Sequence, residues 1–397
     1  QPYSQSIDRI EYKDTFILNQ RGDGSLYFVS GKREYINNHL VSILGDHQRF
    51  AKISGFDGKL DALSMLGETD GRLIFAYTPY EKGKTAAVLL INPETMTVEK
   101  WLDINEEFES TDVSLKGEKI IIRLSDRIVL VDKDLENYED ISLPKSVTKK
   151  INREPKYNKN NNPLVFFGGY DISSDRTKYV YSDEVGLKLY NTVDDSEKLL
   201  SKTVPITNSD LLDNSFHWEP RFVDNDNKVI TTMTGYEGAL GYTLYDLNSG
   251  IQKNLHMGTY SSTGFIRYDT GLLEINNYIQ DEKNQTGDYK TLYLDFKTGE
   301  IQEIPLEDPG DTGYIVMSDQ LYVGQNFAAF ITSRNDNIDY TNNVNYINRL
   351  NLKTLQVGSK LITVKAAGTH ILGVLSDGRI LFWYNLNPSE NGICITK

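Results

Sequence analysis

Apolar and polar positions along the chain alternate in short runs, and the runs recur. A strand-like stretch of aliphatic and aromatic residues ends in Asp or Asn, a brief polar turn follows, and a second alternating stretch begins. Six copies stand out, with residues 88–91 ending at Asn92, 128–131 at Asp132, 187–190 at Asn191, 242–245 at Asp246, 291–294 at Asp295 and 347–350 at Asn351. A short carboxylate or amide side chain at such a point accepts hydrogen bonds from backbone N–H groups two residues on, and Gly250 and Gly299 supply the positive φ that closes a tight hairpin.

A further strand precedes each anchor, at 72–77, 119–123, 178–181, 228–232, 271–275 and 327–331. β-Branched and aromatic residues dominate these runs, and no segment sustains a 3.6-residue apolar period, so the pattern predicts strands with almost no helix. The anchors recur at a mean spacing of about 52 residues, which is the length of a four-stranded propeller blade. A seventh, shorter copy lies at 379–385, and strands near 15–19 and 25–29 have no earlier anchor. The expected fold is therefore all-β. It is one β-propeller domain over residues 1–397, with seven four-stranded blades closed by pairing of N- and C-terminal strands, or eight if the N-terminal strands form their own blade.

The segment Asp171-Ile-Ser-Ser-Asp-Arg-Thr-Lys-Tyr-Val-Tyr-Ser182, running into Leu187-Lys-Leu-Tyr190, resembles the repeat of the TolB and dipeptidyl-peptidase type, WD40-like propellers. That repeat reads Ser-Pro-Asp-Gly, a hydrophobic strand, then a Leu-Tyr strand. The segment from Arg221 to Ile230, followed by Tyr242-Thr-Leu-Tyr-Asp246, is similar. Ser174 stands where the pattern has Pro, and Arg176 and Asn227 where it has Gly. The resemblance implies a fold and not an activity.

Composition narrows the field. With 25 Tyr and 15 Phe in 397 residues the chain has the large side chains of an ordered core, and a net charge of −14 argues against nucleic-acid binding, which needs clustered cations. A single cysteine, Cys394, rules out an internal disulfide and a cysteine zinc site. No apolar run reaches the ~20 residues of a membrane span. Gln1 in place of an initiator Met reads as the trace of a removed export signal or lipid anchor, so the chain is expected outside a bacterial cell, as a monomeric Gram-positive surface lipoprotein.

Catalytic signatures are scarce. The Gly-x-Ser-x-Gly elbow of a serine hydrolase does not occur. His217-Trp218-Glu219 puts a histidine and a carboxylate on one side of an extended strand, which is too few ligands for a metal, and no cofactor or metal is expected. The Asp-rich stretches 224–227 and 336–339 lack the closing Glu of a calcium loop and read as turns. Arg21-Gly-Asp23 reads as a hairpin turn rather than an adhesion motif.

One shift in composition stands apart. Between Pro144 and Pro163 the chain carries Lys145, Lys149, Lys150, Arg153, Lys156 and Lys159 against Glu154 alone, then Asn160-Asn-Asn162. This local reversal of sign lies where a connection between blades is expected, and it reads as an inserted loop able to attract an anionic polymer or other surface ligand, a lipid headgroup or an acidic protein surface. Mouth residues Tyr80, His217, Trp218, Tyr236 and Glu237, together with Lys149, Lys150, Arg153 and Lys156, are the candidate contacts. The reading is a non-enzymatic binding or sensing propeller. Its alternative is a polysaccharide-active lyase or hydrolase with axial carboxylates or histidines, since some lyases on similar propellers place histidines there.

Overall fold

The computed structural model describes residues 10–11, 17–20, 26–28, 47–107, 112–159, 163–203, 216–235, 238–255, 263–267, 271–281, 286–304, 314–335, 344–365, 368–387 and 390–396. Seven four-stranded antiparallel sheets follow one another along the chain, the arrangement of a seven-bladed β-propeller. Blade 1 comprises Leu63–Thr69, Arg72–Tyr77, Thr85–Asn92 and Thr97–Glu107. Blade 2 comprises Asp112–Lys116, Lys119–Arg123, Arg127–Asp132 and Tyr138–Ser142. Blade 3 is built from Phe167–Ile172, Lys178–Asp183, Gly186–Asn191 and Ser196–Lys202, and blade 4 from Phe216–Val223, Lys228–Gly235, Gly238–Asp246 and Gln252–Leu255. Blade 5 uses Thr263–Arg267, Gly271–Asp281, Thr286–Asp295 and Ile301–Ile304. Blade 6 uses Tyr314–Val323, Phe327–Asn335, Val344–Asn351 and Val357–Lys365.

Blade 7 joins the two ends of the chain. Its first three strands are Gly368–Val374, Ile380–Asn387 and Glu390–Ile395, and its fourth is Gln48–Phe50, with Ile393 opposite Phe50 and Ile395 opposite Gln48. The expected pairing of N- and C-terminal strands is present, but the pairing strand lies beyond the two stretches anticipated for it. Ile17–Gln20 pairs with Ile10–Glu11 on one side and Leu26–Phe28 on the other, in a separate three-stranded sheet. The seventh sequence copy also shifts role. Asn385 lies inside the second strand, opposite Asn391, and the fourth strand of this blade is Gln48–Phe50 from far back in the chain, so no third-to-fourth hairpin needs an anchor.

Five of the six other anchors close their hairpins through the side chain, as turn chemistry requires. The Asn92 side chain accepts from Glu94 N at 2.9 Å, Asn191 from Val193 N at 3.0 Å, and Asp246 from Asn248 and Ser249 N at 3.0 and 2.8 Å. Asp295 accepts from Lys297 and Thr298 N, and Asn351 from Lys353 and Thr354 N. Asp132 instead binds Lys119 and the Asn137 amide, leaving its carbonyl to take Leu135 N. Gly250 and Gly299 have φ of 73° and 70°, as the hairpins demand.

Two compact units make up the chain, Gln1–Phe108 with Leu306–Lys397 and Glu109–Pro305. In the first unit one core cluster runs through blades 1, 6 and 7 and includes Phe75, Leu89, Ile331, Ile347 and Phe382. In the second unit the clusters lie between successive blades. Tyr170, Tyr179 and Tyr181 of blade 3 meet Ile121, Ile128 and Leu130 of blade 2, and Phe222 and Val229 of blade 4 meet Val180 and Leu187 of blade 3. Middle strands are buried on both faces, as Thr85–Asn92 is over Ala86–Ile91, so they read as continuous apolar runs. Truncating a side chain such as Phe222, wholly enclosed, would cost about 3–5 kcal/mol.

Candidate functional site

The insertion between blades 2 and 3 is an ordered arm. Pro144, with φ of −55°, leads into the helix α1 (Lys145–Ile151), the position where a missing N–H costs nothing. Val147 is buried and Ile151, one turn on, packs against the tyrosine-rich cluster of blade 3. That spacing gives α1 an apolar stripe too short to register as a helical period, which is why a loop was expected here.

Charge fixes the docked face. Lys150 donates to Asp183 Oδ2 at 2.9 Å, and Arg153 donates to both oxygens of Glu184 at 2.7 Å each while also reaching the Phe166 carbonyl at 3.2 Å. Lys188 adds a second cation to Asp183 Oδ2 at 3.0 Å, and Val185 N caps its other oxygen at 2.9 Å. Burial would push the Asp183 carboxyl up, but the hydrogen bonds from Lys150 and Lys188 outweigh it and hold the group below the ordinary carboxylate range. Glu184 behaves alike, with burial opposed by Arg153 and the Phe166 N–H.

Beyond α1 the chain forms a small hairpin in which Lys156 pairs with Val165 and Tyr157 with Pro163. Leu164 is the extra residue of that register shift and stands 58% exposed, beside Tyr157 at 52%. Lys145, Lys149, Lys156 and Lys159 are exposed, and among the described residues none of the four is ion-paired.

The arm leads directly to blade 4. Phe166 follows the hairpin and packs on Trp218, ring centroids 5.4 Å apart, with Phe216 behind it at 6.2 Å. Trp218 is 39% exposed and begins a bulge in the first strand of blade 4, where Glu219 takes φ of 48° and faces solvent. Close approach of the two blades needs Gly168, since a Cβ there would lie 2.3 Å from Ser182 Oγ and 2.4 Å from the His217 carbonyl.

His217 itself is enclosed. Its Nδ1 lies 2.8 Å from Thr231 Oγ1 and its Nε2 3.0 Å from Ser201 Oγ, and burial drives its pKa down to about 4. Such a ring is a neutral hydrogen-bonding bridge between hydroxyls of blades 3 and 4.

A second polar cluster ties the first two strands of blade 2 to the first strands of blades 3 and 4. Asp171, fully buried, accepts from Arg123 Nη2 at 2.7 Å and Nε at 3.1 Å and from Phe222 N at 2.9 Å. Arg221 bonds Asp112 and the Tyr170 carbonyl. Burial would raise the Asp171 carboxyl, yet Arg123, Lys116 and Arg221 together keep it lowered. Asp226, from the first Asp-rich stretch, binds Lys116 and accepts from Ser174 N at 2.7 Å. Its carboxylate is thus committed to blades 2 and 3. The stretch 336–339 and Arg21-Gly-Asp23 lie outside the described residues. No group of three His, Cys, Asp or Glu residues suited to a metal occurs among the described ones.

Of the residues singled out in the sequence, Lys150 and Arg153 are held by Asp183 and Glu184, Arg153 and Trp218 both meet Phe166, and Lys149 and Lys156 are exposed on the arm, whereas the His217 ring is enclosed between Ser201 and Thr231. Tyr80 belongs to the other unit. It stands exposed after the second strand of blade 1, donates to Asp61 Oδ2 at 3.1 Å and carries Lys59 over its ring at 4.6 Å. Tyr236 and Glu237 lie outside the described residues. Tyr157, Leu164 and the acids Asp183 and Glu184 were not anticipated. The signal for the first two was their place on either side of the Asn run.

No protein-family model matches the chain, and no curated protein matches it. Solved structures do. Oligogalacturonate lyase in complex with manganese is 12% identical, spans 88% of this chain and 96% of its own, and superposes with a TM-score of 0.48. The WD40 domain of Neurospora crassa Pan2 is 8% identical over 89% of this chain and 96% of its own, with a TM-score of 0.42. Hydrazine synthase of Kuenenia stuttgartiensis is 10% identical over 87% and 99%, with a TM-score of 0.40. The β-propeller architecture, with seven four-stranded blades, is read from this chain's own sheets.

Proposed function

We propose that this protein is a non-enzymatic binding propeller at the outside of a bacterial cell, and that its binding element is the cationic arm formed by α1 and the paired strands Lys156–Tyr157 and Pro163–Val165. One observation supports this above the others. Lys150 and Arg153 are spent on Asp183 and Glu184, which fix the arm to blade 3, while Lys145, Lys149, Lys156 and Lys159 point to solvent. A docked arm holds its free cations in a set geometry before any partner arrives, so less conformational entropy is lost on binding. In a chain of net charge −14 such a patch is a local region of opposite sign that favours an anionic partner.

The test is titration with inorganic polyphosphate, a soluble polyanion, at low and high salt. Wild type should bind with an affinity that falls as salt rises, because exposed charges are screened beyond ~10 Å at 0.1 M ionic strength. Lys149→Glu with Lys156→Glu should weaken binding by roughly tenfold or more, at about 1 kcal/mol for each cation facing an anionic surface. Identical isotherms for the two proteins would remove the arm as the binding element.

A further inference from the structure

We infer that the surface this arm meets is an anionic lipid bilayer, which it touches through Tyr157, Leu164 and Trp218 with the lysines around them. The inference rests on the cationic arm being the binding element and adds the identity of its partner. A soluble polyanion accounts for Lys145, Lys149, Lys156 and Lys159 but gives no reason to hold apolar side chains beside them in water. Tyr157 and Leu164 are more than half exposed, and Leu164 is turned out by the register shift in its hairpin. Trp218 joins them through Phe166, the residue that ends the hairpin and packs on the indole.

The residue types fit a lipid interface one by one. Tryptophan and tyrosine rings, apolar in body and polar at one end, settle at headgroup depth. A leucine on a hairpin reaches the acyl boundary, and lysine stems lie along apolar surface while their ammonium groups meet lipid phosphates. Charge complementarity favours an anionic leaflet. No helix among the described residues is long and apolar enough to cross a membrane, and α1, at 7 residues, spans only about 10 Å, so contact by this arm is shallow and reversible.

The experiment compares vesicles of phosphatidylcholine alone with vesicles of phosphatidylcholine and phosphatidylglycerol, by co-sedimentation and tryptophan emission, with polyphosphate titration alongside. Wild type should sediment with the mixed vesicles only, with a blue shift that Trp218→Phe abolishes. Tyr157→Ser with Leu164→Ser should reduce vesicle binding by roughly tenfold while leaving polyphosphate binding and the melting temperature unchanged. Lys149→Glu with Lys156→Glu should weaken both. Polyphosphate binding without vesicle binding, or vesicle binding indifferent to Tyr157→Ser with Leu164→Ser, would overturn the lipid inference and leave the cationic arm standing. Binding to neither probe would overturn both.

Discussion

Arg153 closes on Glu184 with both terminal nitrogens, Nη1 to Oε1 and Nη2 to Oε2 at 2.7 Å each, and so clamps the arm that follows α1 to the hairpin of blade 3. Both side chains are under a third exposed, and a bidentate pair in that setting resists solvent better than a surface contact. Arg153→Ala should therefore cost about 1–2 kcal/mol, whereas Lys149→Ala should stay within about 0.5 kcal/mol. Urea unfolding of the two variants separates them. Equal midpoints would mean that the arm is not held by this pair.

The same clamp has a pH dependence with a fixed sign. Asp183 and Glu184 both have carboxyl groups held below the ordinary range, so their stabilisation is complete above that range and is lost as pH falls through their folded values. Amide exchange across Lys145–Ile151 should accelerate on acidification before the middle strands of blade 3 lose protection. Simultaneous loss would show that α1 and the blade open as one.

His217 gives a second titration. Its folded pKa of about 4 lies below the ordinary 6.5, so the unfolded chain binds the proton first. Stability from this site is fully present above pH 6.5 and declines as pH falls toward 4, by at most about 3 kcal/mol. His217→Gln should lower stability at pH 7 and flatten the slope between those limits. A slope unchanged by the substitution would mean that the ring titrates alike in the folded and unfolded chain.

Legibility in the sequence followed burial. Second and third strands of each blade are packed on both faces, so Arg72–Tyr77 and Thr85–Asn92 announce themselves as apolar runs, and the Asp or Asn after the third strand marks the hairpin. Fourth strands are largely exposed, as Tyr138–Ser142 shows, and carry no such pattern. Gln48–Phe50 is one of these, and its partner Glu390–Ile395 is far along the chain, so the closing strand could not be placed by composition. The arm was visible as a reversal of charge. Which of its cations were free was not, because Asp183 and Glu184 lie about thirty residues further on in an unremarkable hairpin.

The ion pair of Arg123 with Asp171 should dominate the polar energetics of blades 2 to 4. Asp171→Ala leaves the Arg123 guanidinium only the partly exposed Asp112 carboxylate, 3.6 Å away, and the Phe222 N–H without an acceptor, and should cost about 3–5 kcal/mol. Asp171→Asn retains an acceptor for Phe222 and should cost less. Replacing both partners, Arg123→Met with Asp171→Leu, should recover part of the loss, since no buried charge is then stranded. Denaturant unfolding of the three variants measures the order, and a loss under about 1 kcal/mol for Asp171→Ala would show that the charges do not hold these blades together.

The closing strand of blade 7 can be tested through the lone cysteine. Cys394 lies opposite Arg49, is wholly buried, and has its thiol pushed up to about 12 by that burial, so in the closed blade it should react with a disulfide reagent only very slowly. Three residue pairs hold Gln48–Phe50 to Glu390–Ile395, helped by the Gln48 amide on the Glu94 carbonyl at 2.9 Å and by Ser54 bridging Thr97. Proline at the centre of so short a strand removes an N–H and fixes φ away from extended values, and a three-residue strand has no remaining length over which to re-pair. Arg49→Pro should then uncover the edge of Glu390–Ile395, raise the reaction rate of Cys394 by at least tenfold and promote aggregation through the open edge. Deleting residues 1–30 removes the separate three-stranded sheet and spares Gln48–Phe50, so it should leave that rate unchanged. If the truncation frees the thiol and Arg49→Pro does not, blade 7 is closed by the N-terminal sheet and not by the strand at 48–50.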